Sequence, residues 1–147
     1  MAKLRIKPKR GGAKKLKALQ EALATSPDVL KVISRNCAEE TLNFVKDRFR
    51  EEKDPYGKRW KPKQIPDGRK VLSGKTSNLK GGWHVAKQSR RGFIIAPSVD
   101  YATFHQTGTR YMASRKMVPD SDNVPRELTR VWSEIATEAL SEHFADI

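Results

Sequence analysis

The chain has 147 residues, of which 32% are charged and 37% hydrophobic, and its formal net charge is +13. This length predicts one domain that buries roughly 70% of the surface exposed by the unfolded chain. No stretch approaches the about 20 apolar residues of a membrane span, and the start lacks the apolar core of a signal peptide, so neither is expected. The single cysteine, Cys37, excludes an internal disulfide and suits a reducing cytoplasm.

Charge is unevenly distributed along the chain. Residues 1–17 contain eight basic side chains and no acidic one, and residues 46–91 contain fifteen basic and five acidic side chains. From residue 119 to the end the balance reverses, with seven acidic side chains against two basic ones. This distribution suits polyanionic or acidic partners, and the alternative is a solvated basic arm beside an ordinary charged helix.

The N-terminal part divides into an arm and a short helix. Residues 1–12, which end in two glycines, are predicted to form a flexible basic arm before a single domain over residues 13–147. Residues 14–24 are predicted to form a short amphipathic helix, because three leucines recur there at helical spacing. These leucines are Leu16, Leu19 and Leu23.

A long helix is predicted next. Ser26 is a suitable N-cap, Pro27 suits the first helical position, and Asp28 complements the helix dipole. The helix is predicted to run to about Glu52. Its buried stripe is predicted from residues that step by three and four: Val29, Leu30, Ile33, Cys37, Thr41, Phe44, Val45 and Phe49.

A turn and a long loop follow this helix. The run Asp54-Pro55-Tyr56-Gly57 has the composition of a type I turn, and Trp60 then supplies an apolar anchor. Residues 61–82 show no periodicity and are predicted to form an exposed basic loop. A short strand or a turn of helix is expected to interrupt it around Val71-Leu72 and Leu79.

Residues 83–89 and 92–97 predict a β-hairpin, joined by a five-residue turn over residues 88–92. Residues 101–106 predict either a short helix or an irregular segment packed on the sheet. Residues 108–119 then form a second predicted loop, which carries Arg110, Arg115 and Lys116.

The last predicted helix is capped by Ser121 or Asp122, with Pro125 near its first turn and glutamates on its outer face. Its apolar stripe is Leu128, Val131, Trp132, Ile135, Ala139, Leu140 and Phe144. The predicted fold class is therefore α+β. Long N-terminal and C-terminal helices pack on a small antiparallel β-sheet, and long basic loops connect the elements.

The sequence does not predict a catalytic, metal-binding or cofactor-binding set. Gly74-Lys75-Thr76 fails as a phosphate loop, because residue 69 is Arg where the motif needs glycine. The three histidines have no Cys or carboxylate at ligand spacing. A metal-dependent nuclease, the enzyme that the charge suggests, would have to use the acids near the basic region, two of which already end a helix. The three histidines are His84, His105 and His143, and the acids near the basic region are Asp47, Glu51, Glu52, Asp54 and Asp67.

Basic residues surround Trp60 in the first loop, which favours contacts with a phosphate backbone over the reading of base edges by a helix. Three interpretations fit them equally: contacts with phosphates, a solvated loop, or a grip on an acidic neighbouring subunit. These candidate DNA, lumen or subunit contacts are Lys58, Arg59, Lys61, Lys63, Arg69 and Lys70.

Several short motifs occur in an order that resembles a known family. They are D-P-x-G-x-x-W after the long helix, a leucine–threonine–leucine segment, Y-A-x-x-H-Q-x-G after the hairpin, and a loop arginine before the last helix. In this order they are similar to the tailed-phage virion morphogenesis family, the tail completion or neck proteins of Mu-like and P2-like phages. The matching residues are Phe49, Asp54, Pro55, Gly57, Trp60, Leu72, Thr76, Leu79, Tyr101, Ala102, His105, Gln106, Gly108 and Arg115.

This resemblance implies a non-catalytic α+β subunit that forms a homo-oligomeric ring, expected to be a hexamer, at the head–tail junction. The implied partners are the head–tail connector or adaptor, tail tube or terminator proteins, and double-stranded DNA in the lumen, with no membrane. The implied location is the virion neck or head-proximal tail, after assembly in the bacterial cytoplasm. A tail terminator that caps the tail tube and a non-specific DNA-binding module are the alternatives.

Copies of this protein in a ring would repel one another electrostatically. Six copies would carry about 78 positive charges, which repel one another unless DNA or acidic neighbours offset them. Two arrangements relieve this repulsion. Either the acidic C-terminal helix of one subunit faces the basic loop of the next, or the basic loops line a DNA-filled channel.

Overall fold

The fold is α+β, as the sequence predicts. The computed structural model describes residues 17, 20, 21, 27–74 and 78–145. In the described chain, helices flank a two-stranded antiparallel sheet. The elements are α1 (Pro27–Glu51), α2 (Asn78–Gly81), β1 (His84–Ser89), β2 (Gly92–Ala96), α3 (Ala102–Thr107) and α4 (Arg126–Ala145).

Helix α1 confirms the predicted long helix and its buried stripe. It begins at Pro27, with Asp28 in its first turn. The side chains of the C-terminal half of the stripe are buried, and those nearer the N-terminus are partly buried. The buried members are Cys37, Thr41, Phe44, Val45 and Phe49, and the partly buried ones are Val29, Leu30 and Ile33.

Helix α4 packs antiparallel to α1, and two polar contacts fix the pairing. Near the end of α1, Arg48 donates to the Glu127 carboxylate at 2.8 Å. Further along, the Trp132 indole N–H donates to the Thr41 hydroxyl at 3.0 Å. Arg48 is itself only 9% exposed, and its guanidinium carbon lies 4.5 Å from the Phe44 ring centre. A buried arginine on the stripe was not predicted, because its partner lies 79 residues away.

The predicted cap of the last helix is wrong. Ser121 and Asp122 lie in a separate turn, closed by the Asn123 N–H donating to the Asp120 carbonyl at 3.1 Å. The helix begins later, at Arg126, and the Pro125 carbonyl accepts from the Thr129 N–H.

The predicted hairpin is present, but its turn is shorter than expected. Ser89 pairs directly with Gly92, so two arginines, Arg90 and Arg91, form the connection in place of the predicted five residues. The register shifts between Val85 and Lys87, which marks a β-bulge in β1. Lys87 is exposed.

The core lies where α1 meets the two long loops. The Phe49 and Trp60 rings meet edge to face, with centres 5.4 Å apart. The loop over residues 61–82 returns to this core twice. The turn of helix predicted around Leu79 is confirmed as α2, whereas Val71 and Leu72 lie in a turn that is neither a strand nor a helix. The buried cluster consists of Val45, Phe49, Trp60, Val71, Leu72, Leu79, Trp83, Ala102 and Met117.

Several predictions fall largely outside the described residues. The basic arm over residues 1–12 and Thr76 lie outside them, and of the predicted helix over residues 14–24 only residues 17, 20 and 21 are described. Those three are helical. Residues 101–106 fall mainly in α3, so the helical alternative for that segment is confirmed. Within the described residues, no helix is long and apolar enough to cross a membrane.

Candidate interaction surface

The chain reverses direction immediately after α1 through a network of local hydrogen bonds. Glu52 adopts a positive φ of 56°, and the Lys53 N–H reaches back to the Arg48 carbonyl at 3.1 Å, which is a Schellman helix ending. The Asp54 carboxylate accepts from the N–H groups of Tyr56 and Lys58 at 2.9 and 2.8 Å. These contacts confirm the turn that was predicted from Asp54, Pro55 and Gly57.

The left-handed conformation of Glu52 has a tertiary explanation. A non-glycine residue in this region carries a cost of about 1 kcal/mol or more. The Glu52 carboxylate accepts from the Val71 N–H at 2.8 Å, and the Glu52 carbonyl accepts from the Trp60 N–H at 2.9 Å. The end of α1 is thereby tied to the start and to the middle of the first basic loop.

Residues 114–118 form a segment without regular secondary structure that joins the two motif regions. On one side, the Trp60 indole N–H donates to the Lys116 carbonyl at 2.8 Å. On the other side, the Gln106 Oε1 accepts from the Met117 N–H at 2.7 Å, and its Nε2 donates to the Val118 carbonyl at 2.8 Å. Met117 is fully buried between these contacts.

Arg115 joins the same segment to the first basic loop. Its Nε donates to the Lys61 carbonyl at 2.9 Å, and its Nη2 donates to the Pro62 carbonyl at 3.0 Å. Its backbone N–H donates to the His105 carbonyl at 2.7 Å. The loop arginine of the family motif therefore acts here as a structural clamp between two loops.

Gly108 ends α3 at a place where only glycine fits. Its φ is +77°, and a Cβ atom built there would lie 2.8 Å from the Ser114 nitrogen and 3.1 Å from the Met112 carbonyl oxygen. Both neighbours are backbone atoms, so neither can move aside independently. The motif glycine permits residues 114–118 to pass close to α3.

The six predicted basic contact residues divide into two groups. The side chains of Lys58, Arg59 and Lys61 are exposed and line a cleft of about 320 Å³ together with Lys116. Within the described part of the chain, none of these first three side chains makes a hydrogen bond or an ion pair.

The other three predicted cations already have partners in the same chain. Lys63 lies 2.7 Å from the Asp67 carboxylate, and Arg69 lies 3.6 Å from it. The hydrogen bond from Lys63, the backbone N–H of Arg69 and their charges hold the pKa of Asp67 below its ordinary value. The Lys70 ammonium donates to the Arg50 carbonyl at 2.7 Å, at the end of α1.

His105 lies in an adjoining cleft of about 340 Å³, which Tyr101, Lys63 and Arg115 also line. Its Nδ1 is buried, and no hydrogen-bond partner for it lies among the described residues. Burial lowers the pKa of His105, and the nearby Arg115 charge lowers it further. His105 therefore stays neutral in neutral solution.

A second anchoring network, which the sequence analysis missed, fixes the far end of residues 114–118. The Tyr56 hydroxyl donates to the Asn123 carbonyl at 2.8 Å and accepts from the Asp120 N–H at 3.0 Å. Lys116 pairs with the Asp120 carboxylate at 2.5 Å. This hydrogen bond raises the pKa of Lys116 and lowers that of Asp120. The i,i+4 spacing of this pair is the one sequence signal for it.

The exposed face of α4 has the opposite charge. Glu134, Glu138 and Glu142 are exposed and lie four residues apart, so they form one row along the helix. Glu127, in the first turn, is engaged with Arg48. The described chain thus presents free cations on its first loop and a row of carboxylates on its last helix.

Within residues 27–74 and 78–145, no group of three His, Cys, Asp or Glu side chains is placed to hold a metal ion. No family model matches the chain, and no match was found among curated proteins or solved structures. A function for this protein therefore has to be inferred from its own residues and their geometry.

Replacing Gln106 by methionine should destabilise the protein strongly. The variant Gln106→Met keeps the side-chain length but leaves the backbone groups of residues 117 and 118 without partners, at about 1–3 kcal/mol for each buried group. We expect the free energy of unfolding in urea to fall by about 2–4 kcal/mol. Gln64→Met, on an exposed loop residue, should stay within about 0.5 kcal/mol of the wild type. Equal effects of the two substitutions would contradict this role.

Stability should fall as the solution is acidified through the ordinary titration range of histidine. The folded state lowers the pKa of His105 below 6.5, so the unfolded state binds more protons in this window. The free energy of unfolding should therefore decrease as pH falls below 6.5 towards the folded-state pKa.

Urea unfolding at a series of pH values tests this dependence. His105→Gln should reduce the slope between neutral and mildly acidic pH, while His84→Gln should retain it. The pKa values of Asp67 and Asp120 are lowered from 3.8, so these carboxyls affect stability mainly at more acidic pH than the histidine does. An unchanged slope in His105→Gln would show that His105 is not responsible.

Proposed function

We propose that this protein is a structural subunit of the head–tail junction of a tailed phage, a ring-forming neck or tail completion protein. One observation carries the proposal. The residues of two motifs about forty positions apart meet around residues 114–118, through Trp60, Gln106 and Arg115. Because residues of both motifs contact the same segment, we treat the two motifs as parts of one family pattern.

The motif residues described next are buried or hydrogen-bonded, which fits a structural protein that acts through the shape of its surface. Phe49, Pro55 and Trp60 are buried, and Asp54 accepts two backbone hydrogen bonds. These residues fix the relative positions of two loops and leave other side chains exposed for contacts. A ring subunit needs such a rigid face, because each copy must present the same surface to the next.

Charge segregation supports head-to-tail association of copies. Free cations lie on the first loop, and exposed carboxylates form a row on α4. A contact between these two different surfaces is heterologous, and such contacts close into rings when the rotation between copies permits. This arrangement would offset part of the +13 charge of each copy.

The proposed partners are further copies of this chain, the connector or adaptor on the head side, and the tube or terminator on the tail side. The proposed location is the neck or head-proximal tail of the virion. Within this proposal, a tail terminator that caps the tube is the variant role. Packaged double-stranded DNA in the lumen is the proposed polyanionic neighbour of the cations that remain free.

Deletion of the gene from the phage that carries it should block assembly at one step. We expect lysates with DNA-filled heads and separate tails, or tails of abnormal length, when they are viewed by negative-stain electron microscopy. Supplying the wild-type protein from a plasmid should restore joined particles. Normal infectious virions from the deletion phage would refute the proposal.

Charge-reversed proteins sharpen this experiment. A triple variant Lys58→Glu, Arg59→Glu, Lys61→Glu should fail to restore joined particles, because it reverses the free cations while leaving the bonded Lys63 and Lys70 in place. The matched control Arg90→Glu, Arg91→Glu, in the hairpin turn, should restore them. Full rescue by the triple variant would remove the first loop from the proposed contact surface.

A second candidate function is non-specific binding of DNA by the protein alone. The observation that favours it is the set of three free cations around Trp60 in an exposed cleft. Cations that have no partner in their own chain are available to phosphates, and contacts of this kind carry no sequence information.

Binding of a duplex oligonucleotide, measured by fluorescence anisotropy at several salt concentrations, tests this second function. The logarithm of the binding constant should fall by about 0.9 per phosphate contacted for each unit of log salt. The triple variant should lower this slope by about 2.7, one increment for each cation lost. Negligible binding by the wild type at low salt would exclude the DNA-binding function while leaving the ring proposal intact.

A further inference from the structure

Three clefts adjoin one another along the line where the first basic loop meets the second loop. The middle cleft has a volume of about 530 Å³ and lies between the two loops. It shares Lys61 with the cleft of the free cations, and it shares Lys63 and Arg115 with the cleft of His105. This row of three clefts is called the loop groove below.

The loop groove is positively charged. Three cationic side chains line the middle cleft, and none of the described residues that line it is acidic. Each outer cleft has one acidic side chain among its described lining residues, and both are already engaged. Asp54 accepts two backbone hydrogen bonds, and Asp67 pairs with Lys63. The groove therefore fits a polyanion better than it fits a protein segment of mixed charge.

An exposed tyrosine lines the middle cleft and is carried by a hydrogen-bonded turn. Tyr111 is 82% exposed although its ring is large and mainly apolar. Hydrogen bonds of 2.9 and 3.3 Å run in both directions between the backbones of Thr109 and Met112 and close the turn. The Arg110 guanidinium carbon lies 5.7 Å from the tyrosine ring centre, within the range of a cation–π contact. The fold thus presents an aromatic ring, with a cation beside it, at a defined place in the groove.

A second tyrosine lies in the cleft of His105. Tyr101 is 45% exposed, and its ring meets the His105 ring edge to face, with centres 6.0 Å apart. A cationic groove combined with aromatic rings on which bases can stack is typical of surfaces that bind single-stranded nucleic acid. In a duplex the bases are stacked on one another, so their faces cannot reach either ring. Binding of a duplex would therefore leave both tyrosines unused.

We propose that the loop groove binds single-stranded nucleic acid, with one base stacked on Tyr111 and a second on Tyr101. The free cations Lys58, Arg59 and Lys61 contact the phosphates of the same strand. Every base offers an aromatic face, so binding of this kind shows little sequence preference. The proposal rests on the DNA-binding candidate function and adds that a single strand is preferred to a duplex. It is independent of the phage role.

Fluorescence anisotropy with the full chain and a labelled oligothymidine tests the proposal. A strand of about 12 nucleotides lies within the usual site sizes of such grooves. The wild type should bind it more tightly than a duplex of the same length at the same salt concentration. Tyr111→Ala should weaken binding of the strand by about 5-fold or more, the loss expected for one stacked base, and Tyr111→Phe should bind like the wild type.

The matched control removes an exposed aromatic ring outside the groove. Phe104 is 57% exposed and lines none of the three clefts, so Phe104→Ala should bind like the wild type. Oligouridine, measured beside oligothymidine, shows whether the preferred strand is RNA or DNA. Binding of either strand that depends on Tyr111 supports the proposal.

A strand without bases separates stacking from phosphate contacts. An abasic strand with the same number of phosphates should bind the wild type more weakly than oligothymidine does, and Tyr111→Ala should not weaken it further. Tyr111→Ala should also keep the salt dependence of oligothymidine binding, because it removes no charge. The triple variant Lys58→Glu, Arg59→Glu, Lys61→Glu should instead lower that slope by about 2.1, at about 0.7 for each phosphate contact of a single strand.

Several results would overturn the proposal. Binding of the duplex as tightly as the single strand would do so while leaving the DNA-binding function in place, whereas no binding of either at low salt would remove both. Equal weakening of abasic and oligothymidine binding by Tyr111→Ala would show that the ring does not act by stacking. Unchanged strand binding by Tyr111→Ala, together with the loss of an oligomer in light scattering, would assign Tyr111 to a contact between copies.

Discussion

A buried backbone segment outside regular secondary structure needs a partner for each of its N–H and C=O groups. In residues 114–118, side chains take the place of a neighbouring strand for four of these groups: the N–H groups of Met117 and Val118 and the carbonyls of Lys116 and Val118. Gln106 accepts from and donates to the segment, and the Trp60 indole donates to it from the other side. Each of these side chains is itself fixed, Trp60 by Phe49 and Gln106 by α3. The position of both basic loops therefore depends on a few directional bonds in addition to the packing of the core.

This arrangement explains why the surface of the first loop is defined although the loop has little regular structure. Arg115 holds the carbonyls of residues 61 and 62, and the Glu52 carboxylate holds the Val71 N–H, so the loop is fixed at its start and in its middle. Part of its positive charge is used internally, by Asp67 and by the end of α1. Of the six predicted contact cations, the three without a partner among the described residues are next to Trp60: Lys58, Arg59 and Lys61.

Local patterns predicted the fold well, and contacts between distant residues were beyond them. The stripe of α1 follows from a period of 3.6 residues, and the turn after it follows from the Asp-Pro-x-Gly composition. The hairpin turn was predicted too long, because Gln88 is polar and reads as loop, whereas its side chain in fact donates to the Lys31 carbonyl from within a strand. The cap of α4 was misplaced, because Tyr56 holds the turn over residues 120–123 from 64 residues away. The residues of the candidate site were named from the sequence, but their partners were not. Lys63 and Arg69 pair locally with Asp67, and Lys70 donates to the Arg50 carbonyl 20 residues away.

The distribution of charge connects these features to assembly. Opposite charges that lie in one chain normally pair where the fold brings them together, as Arg48 and Glu127 do across α1 and α4. The row Glu134, Glu138 and Glu142 remains exposed although the chain has a large excess of cations. Attraction within one molecule is therefore left unused on both the acidic and the basic surface. Between copies the same attraction is strongest at low ionic strength and falls with a screening length of about 8 Å at physiological salt. Association driven by it would thus depend on close, well-fitted contact, which the fixed loop surface provides.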